Sequence, residues 1–209
     1  MPVFQKNILA AAIPLLLCFA AAYAGDSPQE IKQRAGGGDP LAGKEKSALC
    51  HGCHGEDGNS IASDFPKLAG QYADYIQRQI NNFQSGTRSN PVMSPIAAIE
   101  TPRQDLSDIA AYFASQKQMA GTPVVNEDGR KLFLKYGCVG CHGVDGKGGP
   151  ANNSIFPVIG GQHKDYLVKQ LHDFRTGARD TDMSGTMSDL GKILTDAEIE
   201  AVSDYLSGQ

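Results

Sequence analysis

Apolar residues recur three and four apart in two sets of segments that follow one another in the same order, and no strict alternation runs longer than a few residues. In the first set, a polar, Gly-rich leader runs from Asp26 to Ala42, where Gly36-Gly37-Gly38 allows a short helical piece at most. A helix is expected over Leu41–Leu49, an amphipathic one from about Tyr72 to Gln84, and a closing helix from Asp105 to Gln116. In the closing helix Leu106, Ile109, Ala110 and Phe113 share a face. Loops fill Gly55–Ser63 and Ser85–Pro95. The second set opens with Asn126 capping a helix through Tyr136 and continues through a Gly-rich loop from Asp145 to Asn153. It closes with a helix from about Asp196 to Leu206, with Ile199, Val202 and Leu206 inward. The pattern predicts an all-α chain.

The repeated order reflects a repeated sequence. Phe65-Pro66-Lys67-Leu68-Ala69-Gly70-Gln71 matches Phe156-Pro157-Val158-Ile159-Gly160-Gly161-Gln162, and eight of nineteen positions are identical between Gly70–Arg88 and Gly161–Arg179. Asp74/Asp165, Tyr75/Tyr166, Phe83/Phe174 and Arg88/Arg179 are among the identical pairs. Gly121 and Pro123 mark a linker, with the repeat boundary around Met119 to Pro123. The expected domains are 25–118 and 119–209.

Each repeat carries one chemical motif. Cys50-His51-Gly52-Cys53-His54 and Cys138-Val139-Gly140-Cys141-His142 both read C-x-x-C-H, the attachment signature of c-type haem. Residues three and four apart share a helical face, so two thiols can add to the two vinyl groups of one porphyrin, leaving the following His under the iron. Zinc is the rival reading, but paired C-x-x-C zinc motifs lie about 15–20 residues apart. These copies are 88 residues apart, from 50 to 138. Zinc also leaves unexplained why His follows the second Cys both times. A redox dithiol would need a βαβ context that the pattern lacks.

Charge and cysteine use bear on the compartment. Lys6, an apolar run from Ile8 to Ala22 and Ala22-Tyr23-Ala24 before Gly25 describe a cleavable secretory signal over residues 1–24. The apolar run is short for a membrane span; a retained anchor is the alternative. Cys18 would leave with the signal, and the other four cysteines all belong to the two motifs. The formal charge is −4, or −5 without Lys6, and no basic block points to nucleic acid. The two halves differ little: residues 25–120 carry −2 and residues 121–209 carry −3, too small a contrast to assign donor and acceptor faces.

An iron bound by one His has a second face whose occupant decides the chemistry. A ligand there should recur at equivalent places. Met93-Ser94-Pro95-Ile96 pairs with Met187-Ser188-Asp189-Leu190 ahead of each closing helix, so Met93 and Met187 are the expected sulfur ligands. Met183 competes for the second site, and Met119 at the linker reads as packing. His51 is expected to be exposed, and His163 and His172, which do not recur, are expected to serve surface roles. The carbonyls of Pro66 and Pro157 are candidate acceptors for the histidine ligands. Arg88 and Arg179 could pair with haem propionates or brace loops. Tyr75 and Tyr166 are expected on the haem or at the domain interface.

The two C-x-x-C-H motifs, the paired F-P-x-x-x-G-Q segments, the G-x-R turns at Gly86–Arg88 and Gly177–Arg179 and the two methionines together resemble the dihaem cytochrome c4 family over essentially the whole mature chain. Each half is similar to a class I cytochrome c domain. The resemblance implies two tandem domains related by approximate two-fold pseudosymmetry. It implies two covalent haem c groups, on Cys50 and Cys53 and on Cys138 and Cys141. His54 with Met93, and His142 with Met187, would be axial to the two irons. It further implies a non-catalytic periplasmic electron carrier that meets membrane respiratory complexes transiently. The donor would be of the quinol–cytochrome c reductase type and the acceptor of the cytochrome c oxidase type or another reductase. Peripheral association with the membrane is compatible with that role. A dihaem enzyme, of peroxidase or thiosulfate-oxidising type, and a haem subunit of an oxidase are the alternatives.

Overall fold

The computed structural model describes residues 28–149 and 153–209. The expected signal at 1–24, with Cys18, lies outside them. The described chain is helical throughout. The first repeat holds α1 (Pro28–Ala35), α2 (Pro40–Lys46), α3 (Ala48–His54), α4 (Ala73–Gln84), α5 (Met93–Ala97) and α6 (Arg103–Ser115). The second holds α7 (Glu127–Lys135), α8 (Cys138–His142), α9 (Lys164–Thr176), α10 (Thr186–Ile193) and α11 (Asp196–Ser207).

Local chemistry accounts for where these helices begin. Asp39 accepts hydrogen bonds from the N–H groups of Leu41 and Ala42, with Pro40 at the first helical position. Asn126 accepts from Gly129 N–H, as its position ahead of α7 predicts. Thr195 and Glu198 form a reciprocal capping box at the start of α11.

Two elements differ from the sequence pattern. The helix expected over Leu41–Leu49 is two helices broken at Ser47, whose buried hydroxyl donates to Lys44 O at 2.9 Å instead of leaving the backbone to itself. The methionine stretches, expected as loop, begin short helices. Asn90 Oδ1 accepts from Met93 N–H at 2.8 Å, and Asp182 Oδ2 accepts from Met187 N–H at 2.7 Å. The same polar residues that make these stretches look like loop are the ones that start the helices.

In each domain the helix entering the haem motif crosses the closing helix at close range. Gly43 in α2 lies against Asp108 O of α6, and Gly129 in α7 lies against Ala201 O of α11. A β-carbon at either place would come within about 2 Å of that oxygen. Beside the crossings sit two apolar cores, one around Ile76, Ile109 and Phe113, the other around Phe133, Leu167, Val202 and Leu206. Cys50 packs against the first and Cys138 against the second, so each attachment site is a wall of its domain's core.

A third apolar cluster, Tyr72, Met119 and Val158, joins the two halves. Met119 is fully buried there and confirms its reading as packing. Around that cluster the polar contacts come in exchanged pairs. Gln71 spans to Val158, and Gln162 spans to Lys67. Within each half the same bond recurs, from Gly70 N–H to Phe113 O and from Gly161 N–H to Leu206 O. The backbones of Arg88 and Arg179 pair antiparallel across the same axis. Exchanging equivalent residues between the halves reproduces these contacts, which is the signature of two tandem domains about a pseudo-two-fold axis.

Candidate haem-binding site

The first C-x-x-C-H motif forms the C-terminal part of α3, and the second is the whole of α8. One helical turn therefore places Cys50 near Cys53, and Cys138 near Cys141. None of the four is in a disulfide. Before haem is attached, burial raises the Cys50 thiol above its ordinary value and pushes Cys138 up to about 11. Among the described residues no group of three or more His, Cys, Asp or Glu side chains is placed to hold a metal ion.

The two histidines ending the motifs are fixed alike. His54 Nδ1 lies 2.8 Å from Pro66 O, and His142 Nδ1 lies 2.9 Å from Pro157 O. A carbonyl oxygen only accepts, so Nδ1 carries the proton and Nε2 keeps the lone pair. Burial lowers both histidine pKa values, against the opposing pull of the proline carbonyls. Both rings are therefore neutral, each with one nitrogen free to bind a metal. The prolines are the acceptors that the repeat pattern predicts.

Both histidines, Met93, Met187 and Met183 line one cavity of about 670 Å³ that runs through both domains. Its walls are largely apolar, with Phe65, Ile80, Phe83 and Phe113 from the first half and Phe133, Phe156, Leu167 and Phe174 from the second. The two expected methionines stand alike, each half-buried in the first turn of a short helix and held by its N–H. Met183 is 75% exposed and lies outside any helix.

Between the two lobes lies a compact polar square. Arg88 donates to Gln79 Oε1 at 2.8 Å, to Gln170 Oε1 at 2.7 Å and to Tyr166 Oη at 3.0 Å. Arg179 donates to Gln170 Oε1 at 2.6 Å, to Gln79 Oε1 at 3.2 Å and to Tyr75 Oη at 2.9 Å. Each guanidinium also lies 4.6 Å from a ring centroid, Phe83 for Arg88 and Phe174 for Arg179. Tyr75 and Tyr166 are thus interface residues, one of the two places expected for them. The arginines are only 8% and 6% exposed, and among the described residues neither forms a salt bridge with a carboxylate.

That excess of positive charge is felt locally. Burial drives the Tyr75 phenol up, but the guanidiniums of Arg179, Arg88 and Arg78 together bring it below its ordinary value. The direct hydrogen-bond partners of both guanidiniums are neutral and only the Asp173 carboxylate acts on Arg179 from nearby, so a further anion beside the pair would be favourable. An apolar cavity with two neutral imidazoles, two thioethers, four thiols and a central pair of guanidiniums fits two porphyrins bearing carboxylates.

Two histidines stand elsewhere than the sequence suggests. His51 is half-buried, its Nε2 2.7 Å from Ser47 Oγ and its ring 6.0 Å from that of Tyr112. His163 lies between the domains, its Nε2 2.9 Å from Ser60 Oγ and 3.0 Å from Ser60 O. Gln71 and Gln162 stand out in the sequence as the ends of the paired F-P-x-x-x-G-Q segments without an assigned role, and Gln79 and Gln170 carry no expectation there. Their signal was available, since both pairs are identical between the repeats.

A family model described as cytochrome c matches residues 41–117 and 126–209, one match for each repeat. Cytochrome c4 of Pseudomonas aeruginosa is 41% identical over 181 residues, covering 82% of this chain and 89% of that protein. The chain belongs to the cytochrome c4 family. The crystal structure of reduced recombinant cytochrome c4 from Pseudomonas stutzeri superposes with a TM-score of 0.74 at 39% identity, covering 82% of this chain and 98% of that one. A protein named thiosulfate dehydrogenase electron acceptor, from Stutzerimonas stutzeri, is 32% identical over 94% of this chain and 92% of its own length. Membership in the cytochrome c4 family makes the chain a dihaem c-type cytochrome that carries electrons on two covalently bound haem c groups. Among the described residues no helix is long and apolar enough to cross a membrane.

Proposed function

We propose that this cytochrome c4 is a periplasmic shuttle, exported by a signal at 1–24 and folded as domains 25–118 and 119–209. Cys50 and Cys53 would hold one haem and Cys138 and Cys141 the other. His54 with Met93, and His142 with Met187, would be the axial ligands. The observation that carries this reading is the duplicated placement of each histidine and methionine on one apolar cavity, with every imidazole oriented by a proline carbonyl. Bound haem supplies a one-electron change at iron. The residues around it bind the macrocycle, orient the imidazoles, exclude water and present buried positive charge to its carboxylates.

The donor in this reading is a quinol–cytochrome c reductase type complex and the acceptor a cytochrome c oxidase or other reductase. Such encounters use small interfaces, below about 1,200 Å², so charge acts on encounter rate more than on affinity. The relative named as an electron acceptor of thiosulfate dehydrogenase favours a second donor, a soluble sulfur-oxidising dehydrogenase. Stopped-flow reduction of the oxidised protein by each donor tests both. Fast, salt-sensitive reduction by a quinol-oxidising complex supports the first, and reduction only by the dehydrogenase with thiosulfate supports the second. Turnover of peroxide by the protein alone would contradict both.

A further inference from the structure

Gln71 and Gln162 do more than pair with the opposite domain's backbone: each ends a hydrogen-bonded chain that begins at the other domain's histidine ligand. In one chain, His54 Nδ1–H donates to Pro66 O at 2.8 Å. The N–H of the same peptide group, that of Lys67, donates to Gln162 Oε1 at 2.8 Å. In the other, His142 Nδ1–H donates to Pro157 O at 2.9 Å, and Val158 N–H donates to Gln71 Oε1 at 3.0 Å.

Both glutamines are held in one orientation. Gln162 Nε2 donates to Lys67 O at 2.9 Å and Gln71 Nε2 to Val158 O at 2.8 Å. Each Oε1 also accepts from the residue that follows it, His163 N–H at 3.0 Å and Tyr72 N–H at 3.2 Å. Those residues open α9 and α4, so each amide oxygen is anchored to a helix start. Both side chains are 4% exposed, so water does not compete for these bonds.

A peptide group that donates through its N–H becomes a stronger acceptor at its oxygen, because the two dipoles polarise one another. A stronger acceptor at Pro66 O draws the His54 Nδ1 proton further and makes Nε2 a more basic ligand, which favours ferric iron. We propose that Gln162 and Gln71 are crossed positioning residues: each polarises, from its own domain, the peptide that orients the histidine ligand of the other. Each haem's potential is then set partly by the neighbouring domain. This rests on His54 and His142 being the iron ligands.

The test uses the two-haem protein with Gln162→Met or Gln71→Met, which keep side-chain length and remove the amide. Potentiometric titration with the haems resolved by NMR reads the outcome. Gln162→Met should raise the potential of the first haem and leave the second in place, and Gln71→Met should do the reverse. The expected size is about a threefold shift in the ratio of reduced to oxidised haem, roughly 30 mV for one electron. In the NMR spectrum of the oxidised protein the shifted ring protons of the histidine ligand should move at the same haem. Equal shifts of both haems by either variant, a shift confined to the variant's own domain, or no shift would overturn the proposal.

A readout that needs no variant is amide exchange in the reduced wild-type protein. Lys67 and Val158 N–H should both be strongly protected and shifted downfield, and rapid exchange at either would overturn the relay. The histidine assignment is tested separately: loss of low-spin haem on replacing His54 or His142 upholds it, whatever the glutamines do.

Discussion

At the scale of single residues, ligand chemistry and acid stability rest on side chains whose partners are explicit. Met93 and Met187 line the haem cavity from equivalent helix starts, whereas Met183 is largely in solvent. Replacing Met93 by Ala should open one iron. One of two methionine–iron charge-transfer bands should vanish, that haem's potential should fall, and carbon monoxide should bind to half the reduced haem. Met183→Ala should leave the spectrum unchanged. Asp108 accepts from Asp39 N–H at 2.9 Å, from Lys46 and from Gln104, and its pKa is lowered to about 2. Because the folded value lies below the unfolded one, near 3.9, this contribution is complete above about pH 4 and lost as pH falls toward 2. Asp108→Asn should therefore flatten the acid-induced unfolding of the N-terminal domain over that range, followed by near-UV circular dichroism. A profile identical to wild type would show that Asp108 is not the sensitive group.

At the scale of elements, the crossings of α2 with α6 and of α7 with α11 hold the attachment motifs against their cores. Gly43→Ala should destabilise the N-terminal domain by at least about 1–3 kcal/mol, since the new carbon meets backbone rather than a yielding side chain. Thermal melting that separates the two domains should show the N-terminal domain's transition moving alone. The periodicity made α4, α6, α7 and α11 legible in the sequence, with ends correct to within a residue or two. It did not reveal the break at Ser47 or the helices at Met93 and Thr186, because these depend on which backbone groups a polar side chain happens to reach. Gly43 and Gly129 were also opaque. They lie at different distances before their motifs, seven and nine residues, so the internal alignment does not pair them.

At the scale of the whole molecule, the duplication made the site unusually readable. The cysteines, histidines, prolines and methionines recur in order, and each recurring pair occupies equivalent ground in the structure. What the repeat could not show was how the halves face one another, since two equivalent residues meeting across an axis look no different in sequence from two that never touch. Arg88 and Arg179 are that case. Placed at the axis, their buried charges act on both haem sites at once, so Arg179→Met should lower both potentials together, unlike the crossed effect expected of the glutamines. Potentiometric titration distinguishes the two patterns.

The account stands or falls on both motifs carrying haem that is closed on its second face. The most direct measurement is haem quantitation of the purified, exported protein, combined with its oxidised absorption spectrum and carbon monoxide binding when reduced. The account predicts two covalent haems per chain, each low-spin with a methionine–iron band, and no carbon monoxide uptake. A single haem, or a high-spin iron that binds carbon monoxide in the unaltered protein, would contradict it.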